Sequence, residues 1–244
     1  MDYTDYMPID YGNWVLGNSA REGVNIKKLK ILNSKELKLW NASVSFQDSR
    51  EDFGHGEIVT YFAIMLLNYY KGKREIVVPA AIMHDLGWHG IGINWKQFVA
   101  SGGNSQDKKI RKPHQDKGVI IARELIEKTK DFKGYIEEIC FIIKDHDTRE
   151  NSTTLSGKIV WAADLLWRVT YPYFQNYLSG KSPEEILKIT KETALEMKAP
   201  YNLRKIEKYI GRIELVNSMF FKFGNQAKKI LFPEYKKELD FCVK

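Results

Sequence analysis

Cysteine is scarce in this sequence: Cys140 and Cys242 are the only two among 244 residues. They have no paired spacing, which excludes a disulfide framework and leads us to expect reduced thiols in a cytoplasmic protein. Cys140 lies in the apolar run Ile139-Cys140-Phe141-Ile142-Ile143 and reads as a core residue. Long apolar runs are missing too. Stretches such as Tyr61 to Leu67 fall well short of the roughly 20 residues a membrane-spanning helix needs. The acidic start Met1-Asp2-Tyr3-Thr4-Asp5 has no apolar h-region, so no signal peptide is expected. No strand alternation persists and no internal repeat is evident, which leaves an all-α chain. Histidine is also rare, with five in the whole sequence, and their positions therefore carry weight.

At 43% hydrophobic, the chain can bury a sizeable core. Its net charge of +7 favours anionic partners, a phosphate-bearing small molecule above all. The basic C-terminal helices hold no recognisable nucleic-acid motif, so nucleic acid is not the expected partner, and a homo-oligomer stays open. Most basic residues are scattered over polar helix faces. One cluster is denser, Lys108, Lys109, Arg111 and Lys112, just before His114.

Residues 1–48 read as an N-terminal packing arm with a helix over about 34–42, capped by Ser34. A strongly apolar helix follows, with His55 in its first turn and an end near Gly72. The central helix is expected over about 78–86, ending at Gly87. Gly, Asn and Ser concentrate over 88–105, which suggests a flap with a short helix over 95–100. Pro113-His114 is expected to open the next helix. Another, over about 132–144, delivers Asp145-His146-Asp147, and a further one spans 156–177. Ser179-Gly180-Lys181-Ser182-Pro183 is the clearest break, with Ser182 as N-cap and Pro183 at the first helical position. Three parts are thus expected: the arm 1–48, a helical core 49–178 and a helical extension 179–244 packed on it.

The stretch Ala80-Ala81-Ile82-Met83-His84-Asp85-Leu86-Gly87 organises the rest. Adjacent residues on a helix point about 100° apart, but at a fraying last turn an imidazole and a carboxylate can converge on one point. That point suits a metal ion; a simple His–Asp pair at a helix C-terminus is the plainer alternative. His55, His114 and His146 also fall at expected helix ends. Asp164 lies in the apolar helix Ile159-Val160-Trp161-Ala162-Ala163-Asp164-Leu165-Leu166-Trp167, where a carboxylate is costly unless paired or metal-bound. Arg168, four residues on, is the alternative partner.

The order His55, His84-Asp85, Asp164 on successive helices resembles the HD-domain superfamily of metal-dependent phosphohydrolases. His114 and His146 resemble the extra ligands of its binuclear branch. The resemblance covers roughly residues 50–178 and implies an HD-like helical bundle. It further implies that His55, His84, Asp85 and Asp164 hold one divalent transition metal ion, iron or manganese, and that His114, His146 and a bridging Asp85 hold a second. The activity implied is hydrolysis of a nucleotide or other small phosphoester, as a phosphomonoesterase or phosphodiesterase, by a metal-activated hydroxide. Asp85 would then be catalytic, with His89 as a general acid and Arg168 steadying charge. Lys108, Lys109, Arg111, Lys112, Lys117, Lys144 and Arg149 would contact phosphate. Trp88 stands where the cyclic-dinucleotide phosphodiesterases carry lysine after the His-Asp-x-Gly run, and their Gly-Tyr-Pro signature is absent, so that substrate is not expected. The same ligand set also fits a di-iron oxygenase resembling inositol oxygenase, and a degenerate site would leave a non-catalytic signalling module.

Overall fold

The structure, a computed structural model, describes residues 31–47, 49–50, 52, 54–68, 70–93, 107–148 and 154–168, with the single positions 173, 177, 181, 182 and 185. Residues 1–30 of the expected arm, the flap over 88–105 beyond residue 93, Arg149 and most of the extension lie outside them. The described residues form helices and turns only: α1 Ser34–Ser43, α2 His55–Leu67, α3 Arg74–Met83, α4 Lys108–Thr129, α5 Ile136–Asp145 and α6 Leu155–Trp167. Short 3₁₀ turns at Val44–Phe46, Leu86–Trp88 and Lys133–Tyr135 follow α1, follow α3 and precede α5. The protein is all-α. No helix among the described residues is long and apolar enough to cross a membrane.

The chain divides into two compact units, Ser19–Asp164 on one side and Met1–Asn18 with Leu165–Lys244 on the other. In the first unit α3 is the axis. Every residue from Ile76 to Met83 is buried, as befits a helix that is apolar all round. It packs on α1, α2 and α5, while α4 packs on α1, on α5 and on the turn Leu86–Trp88. Fully burying a side chain such as Ile82 or Phe62 contributes about 1.5–3 kcal/mol relative to leaving it exposed. In the second unit, the Trp167 ring meets Tyr173 edge-on at 6.1 Å. Ser182 and Glu185 exchange capping bonds there, Ser182 N donating to Glu185 Oε2 at 2.9 Å and Glu185 N to Ser182 Oγ at 3.3 Å.

The helix from His55 ends at Leu67 rather than near Gly72, and the one expected over 156–177 ends at Trp167. Three other boundaries differ from the sequence expectation, each for a local reason. Asn33, not Ser34, caps α1: its side chain accepts from Glu36 N while Glu36 Oε2 accepts from Asn33 N. The central helix begins at Arg74 and ends at Met83, four residues earlier at its start than the apolar run suggests. Arg74 lies in the helix because its guanidinium reaches Glu36 at 2.7 and 2.8 Å and the Ile31 carbonyl at 2.8 Å, docking the start of α1. Most consequentially, α4 starts at Lys108, with Pro113 inside it. Asp107 supplies the cap by accepting from Lys109 N at 2.8 Å. The basic cluster therefore forms the first turn of α4 rather than a loop leading into His114.

Gly87 lies against α4 with no space for a side chain. A Cβ there would fall 1.7 Å from His114 O and 2.5 Å from Gly118 N. Backbone-to-backbone contact at this crossing brings the end of α3 to the middle of α4, which positions the site.

Candidate metal centre

His84 and Asp85 converge because the chain leaves helical geometry between them. His84 is the C-cap of α3 at φ −55°, ψ −40°. Asp85 turns to φ −105°, ψ 4°, in the sparsely populated bridge region. His84 Nδ1 sits 2.8 Å from Ala81 O, so that nitrogen carries the proton and Nε2 presents its lone pair inward. His146, the C-cap of α5, repeats the device: its Nδ1 sits 2.8 Å from Ile143 O. The two are not a simple His–Asp pair, since His84 Nε2 and Asp85 Oδ2 are 3.7 Å apart.

Asp85 divides the site. Its Oδ2 is 3.1 Å from His55 Nε2 and 3.7 Å from His84 Nε2, while its Oδ1 is 3.2 Å from His146 Nε2 and 3.5 Å from His114 Nε2. Asp164 closes the first cluster, with Oδ1 3.4 Å from His55 Nε2 and 3.7 Å from His84 Nε2. Asp147 lies beside the second, with Oδ2 3.3 Å from His114 Nε2 and 3.6 Å from His146 Nε2. Ligand atoms about 2.1 Å from one ion stand about 3.0–3.4 Å apart in octahedral or tetrahedral geometry, close to most of these separations. All six expected ligand residues, His55, His84, Asp85, His114, His146 and Asp164, thus meet in two groups that could each hold a metal ion.

The chemistry of the donors fits a cation. His114 is fully buried, yet its Nε2 makes no hydrogen bond, an arrangement that is costly unless something else fills the gap. Burial opposes the charge on Asp85, but the Arg50 guanidinium, then His84, His146 and His55, hold its carboxyl well below the usual range. Asp147 is likewise held low against burial, by His146, His114 and Arg111. Asp164 is held low by His84 and His55. Burial pulls the His146 pKa down, but Asp147 and Asp85 overcome it and hold the ring at about 9. His55 is raised in the same way, chiefly by Asp85 against burial, while burial prevails at His114 and lowers it. The carboxylates are thus held ionised, and at His55 and His146 a cation would replace the proton that the carboxylates favour.

Four neighbours were not among the site residues expected from sequence. Arg50 donates to Asp52 Oδ2 and to Asp85 Oδ2, both at 2.6 Å, and its guanidinium lies 5.2 Å from the Trp88 ring centre. Asp52 thereby joins His55 and Asp85 in a third acidic grouping. Nothing in sequence spacing marks either. Asp147 did carry a signal: it follows His146 as Asp85 follows His84. Trp88 also belongs to the site, donating from Nε1 to Asp85 Oδ1 at 3.2 Å and stacking on His114 at 4.0 Å. A cleft of about 10 Å³, lined by Ser49, Arg50, Asp52, His55, Asp85 and Trp88 among others, opens beside the first cluster, with room for about one water.

The remaining candidates are placed as follows. His89 is exposed, its Nδ1 3.5 Å from Ser49 Oγ and its ring 5.0 Å from Phe46. Lys108, Lys109 and Lys144 are exposed and Lys117 is half-buried. Lys112 pairs with Asp116 one turn on. Arg111 is buried and bonded to Asp147 Oδ1. Arg168, half-buried, follows the end of α6 in the second unit.

Residues 53–168 match the family model described as the HD domain. No curated protein and no solved structure is matched by the chain.

Proposed function

We propose, on the premise that residues 53–168 constitute an HD domain, that the chain is a metal-dependent phosphohydrolase with two divalent ions, iron or manganese, acting on a nucleotide or another small phosphoester. The observation that carries this reading is Asp85, whose two carboxylate oxygens face two different histidine pairs. A carboxylate so placed can bridge two ions, and the mixed nitrogen and oxygen donors suit transition metals better than calcium. When bound, such a pair supplies Lewis acidity and a water of lowered pKa.

The chain's own residues then have distinct tasks. His84 and His146 are locked in orientation by backbone carbonyls of their own helices. Trp88 and Arg50 fix the two oxygens of Asp85 from opposite partners. Arg50 also lines the cleft, where its charge favours an anionic group. Lys108 and Lys109, exposed in the first turn of α4, favour a phosphate further out, near a helix N-terminus that attracts anions. His89, the one histidine outside the two groups, is the candidate for leaving-group protonation.

The test is phosphate release from a panel of nucleotides and small phosphoesters, under anaerobic conditions with Mn²⁺ or Fe²⁺ supplied. Turnover without oxygen supports the hydrolase. A fully metallated protein inert on the panel, yet consuming oxygen with a polyol or phosphonate, overturns it in favour of the oxygenase.

A further inference from the structure

The second cluster holds one carboxylate more than the six residues read from sequence. Asp147 Oδ2 lies 3.3 Å from His114 Nε2 and 3.6 Å from His146 Nε2. Asp85 Oδ1 approaches the same two nitrogens at 3.5 and 3.2 Å. These four atoms form one group within 4.8 Å of one another. We infer that Asp147 is itself a ligand of the second ion, through Oδ2, and that Arg111 is the positioning residue that holds it there. The inference rests on the two-ion reading above.

Two simpler roles for Asp147 fail on geometry. A carboxylate that merely orients a metal-binding histidine engages the nitrogen that does not ligate. Asp147 instead faces Nε2 of both rings, on the side where Asp85 also points. The non-ligating Nδ1 of His146 is already taken by Ile143 O. A salt-bridge partner for Arg111 would need only Oδ1, which makes that bond, and Oδ2 would have no reason to enter the histidine pair. A further sign of a missing partner is His114, fully buried with neither ring nitrogen in a hydrogen bond, whose Nε2 is aimed into this group.

Arg111 and Gln115 support Asp147 from behind. Arg111, 8% exposed, grips the outer oxygen. Gln115 is fully buried; with its amide nitrogen toward Thr148 Oγ1 and Lys144 O, its oxygen accepts from Asp147 N at 3.0 Å. The consequence is a matched pair of sites. Each has two histidines and one carboxylate of its own, and they share Asp85, so the second ion is held by a donor set of the same kind as the first.

Titration with Mn²⁺ alone, followed by calorimetry and by elemental analysis after desalting, tests this. Wild-type protein should take two ions. Asp147→Asn should keep the first and lose the second, or bind it at least about 100-fold more weakly, beyond the 10–100-fold typical of an outer-sphere change. Arg111→Gln, which keeps the ligand but removes its support, should retain two ions with the second bound about 10-fold more weakly; an unchanged second affinity would remove Arg111 from the positioning role. Because Asp147→Asn strands Arg111 in a buried position, folding is checked by thermal melting, and Asp147→Asn/Arg111→Gln, which removes both charges, carries the test if the single variant does not fold. It should also bind only one ion. Two ions of unchanged affinity in Asp147→Asn would overturn the inference while leaving the two-ion reading intact. So would recovery of the second ion in the double variant, since Asp147 would then serve only to neutralise Arg111. A single ion in the wild type would overturn the two-ion reading itself.

Discussion

Gly87→Ala is the sharpest test of how the fold builds the site. The added Cβ would lie 1.7 Å from His114 O and 2.5 Å from Gly118 N, where contacts under 3.0 Å are essentially never seen. Both atoms are α4 backbone and cannot rotate away, so turn and helix must part by at least 3.0 − 1.7 = 1.3 Å. Overpacking of this kind costs about 1–3 kcal/mol, and with rigid backbone on both sides the upper end applies. The reduced entropy of the unfolded chain returns only about 0.4–1 kcal/mol. A net loss of about 2–3 kcal/mol lowers the Tm of a chain this size by about 4–12 °C. The functional effect should be larger. Asp85, two residues before Gly87, stands 3.5 Å from His114 Nε2 across the same contact. Metal sites tolerate about 0.2 Å in ligand distance, so an opening six times larger should remove the second ion. The assay is thermal melting with elemental analysis of Mn²⁺-loaded protein. Gly134→Ala serves as control, since nothing lies within 4 Å of a Cβ there and no positive φ is needed. Wild-type Tm together with full metal content in Gly87→Ala would refute the argument.

Three further outcomes are expected. His146 has a folded-state pKa of about 9, above the ordinary 6.5, so its charge stabilises the metal-free protein fully below pH 6.5, and that share is lost as pH rises through about 9. Metal must displace the same proton, so Mn²⁺ affinity should rise from pH 6.5 toward 9 with proton release seen by calorimetry in buffers of different ionisation heat; affinity flat across that window counts against it. Arg74→Ala strands Glu36, which is 1% exposed; because the Arg74 side chain is 39% exposed, the cost should fall below the 3–5 kcal/mol of a fully buried pair, at about 2–3 kcal/mol. Chemical denaturation should show that loss with metal content unchanged. Lys108→Ala/Lys109→Ala should raise KM for a phosphorylated substrate, more at low salt than at high, with kcat nearly constant; a KM independent of salt would remove these lysines from substrate binding.

The sequence made the all-α class readable from local signals, while the six candidate ligands were readable together only through the family resemblance. Apolar periodicity without alternation specifies helices, and scarce histidines at helix ends leave few ways to be brought together. Helix starts were harder, because they depend on partners far along the chain. Arg74 and Glu75 look like linker residues until Glu36, 38 positions earlier, accepts the guanidinium. Pro113 looks like a helix start until Asp107 is seen capping the helix six residues before it. That correction separates the basic cluster into different fates. Lys108 and Lys109 remain exposed, Lys112 pairs within its own helix, and Arg111 turns inward to Asp147. Four cations that look equivalent in sequence are distributed by a 3.6-residue period over different faces.

The same period explains why Asp147 escaped notice. On a continuing helix, Asp147 would point about 100° away from His146 and so away from the site. What turns it inward is the end of α5: His146 is the cap, so Asp147 lies beyond the helix, and Gln115 and Arg111 fix its backbone and outer oxygen. Asp85 is turned inward by the corresponding event at the end of α3, where the backbone leaves helical geometry between His84 and Asp85. In both cases the histidine Nδ1 bonds back to a carbonyl three residues earlier, which spends the last turn on orienting the ring. A His-Asp doublet at a helix end is therefore a two-ligand device whose second member depends on where the helix stops. Asp85 is readable as a candidate ligand through the family resemblance, and a glycine two residues on marks the stop. Asp147 is followed by Thr148 and Arg149, with no such mark, and although the helix is expected to end near residue 144, only the fold shows Asp147 turned toward His114.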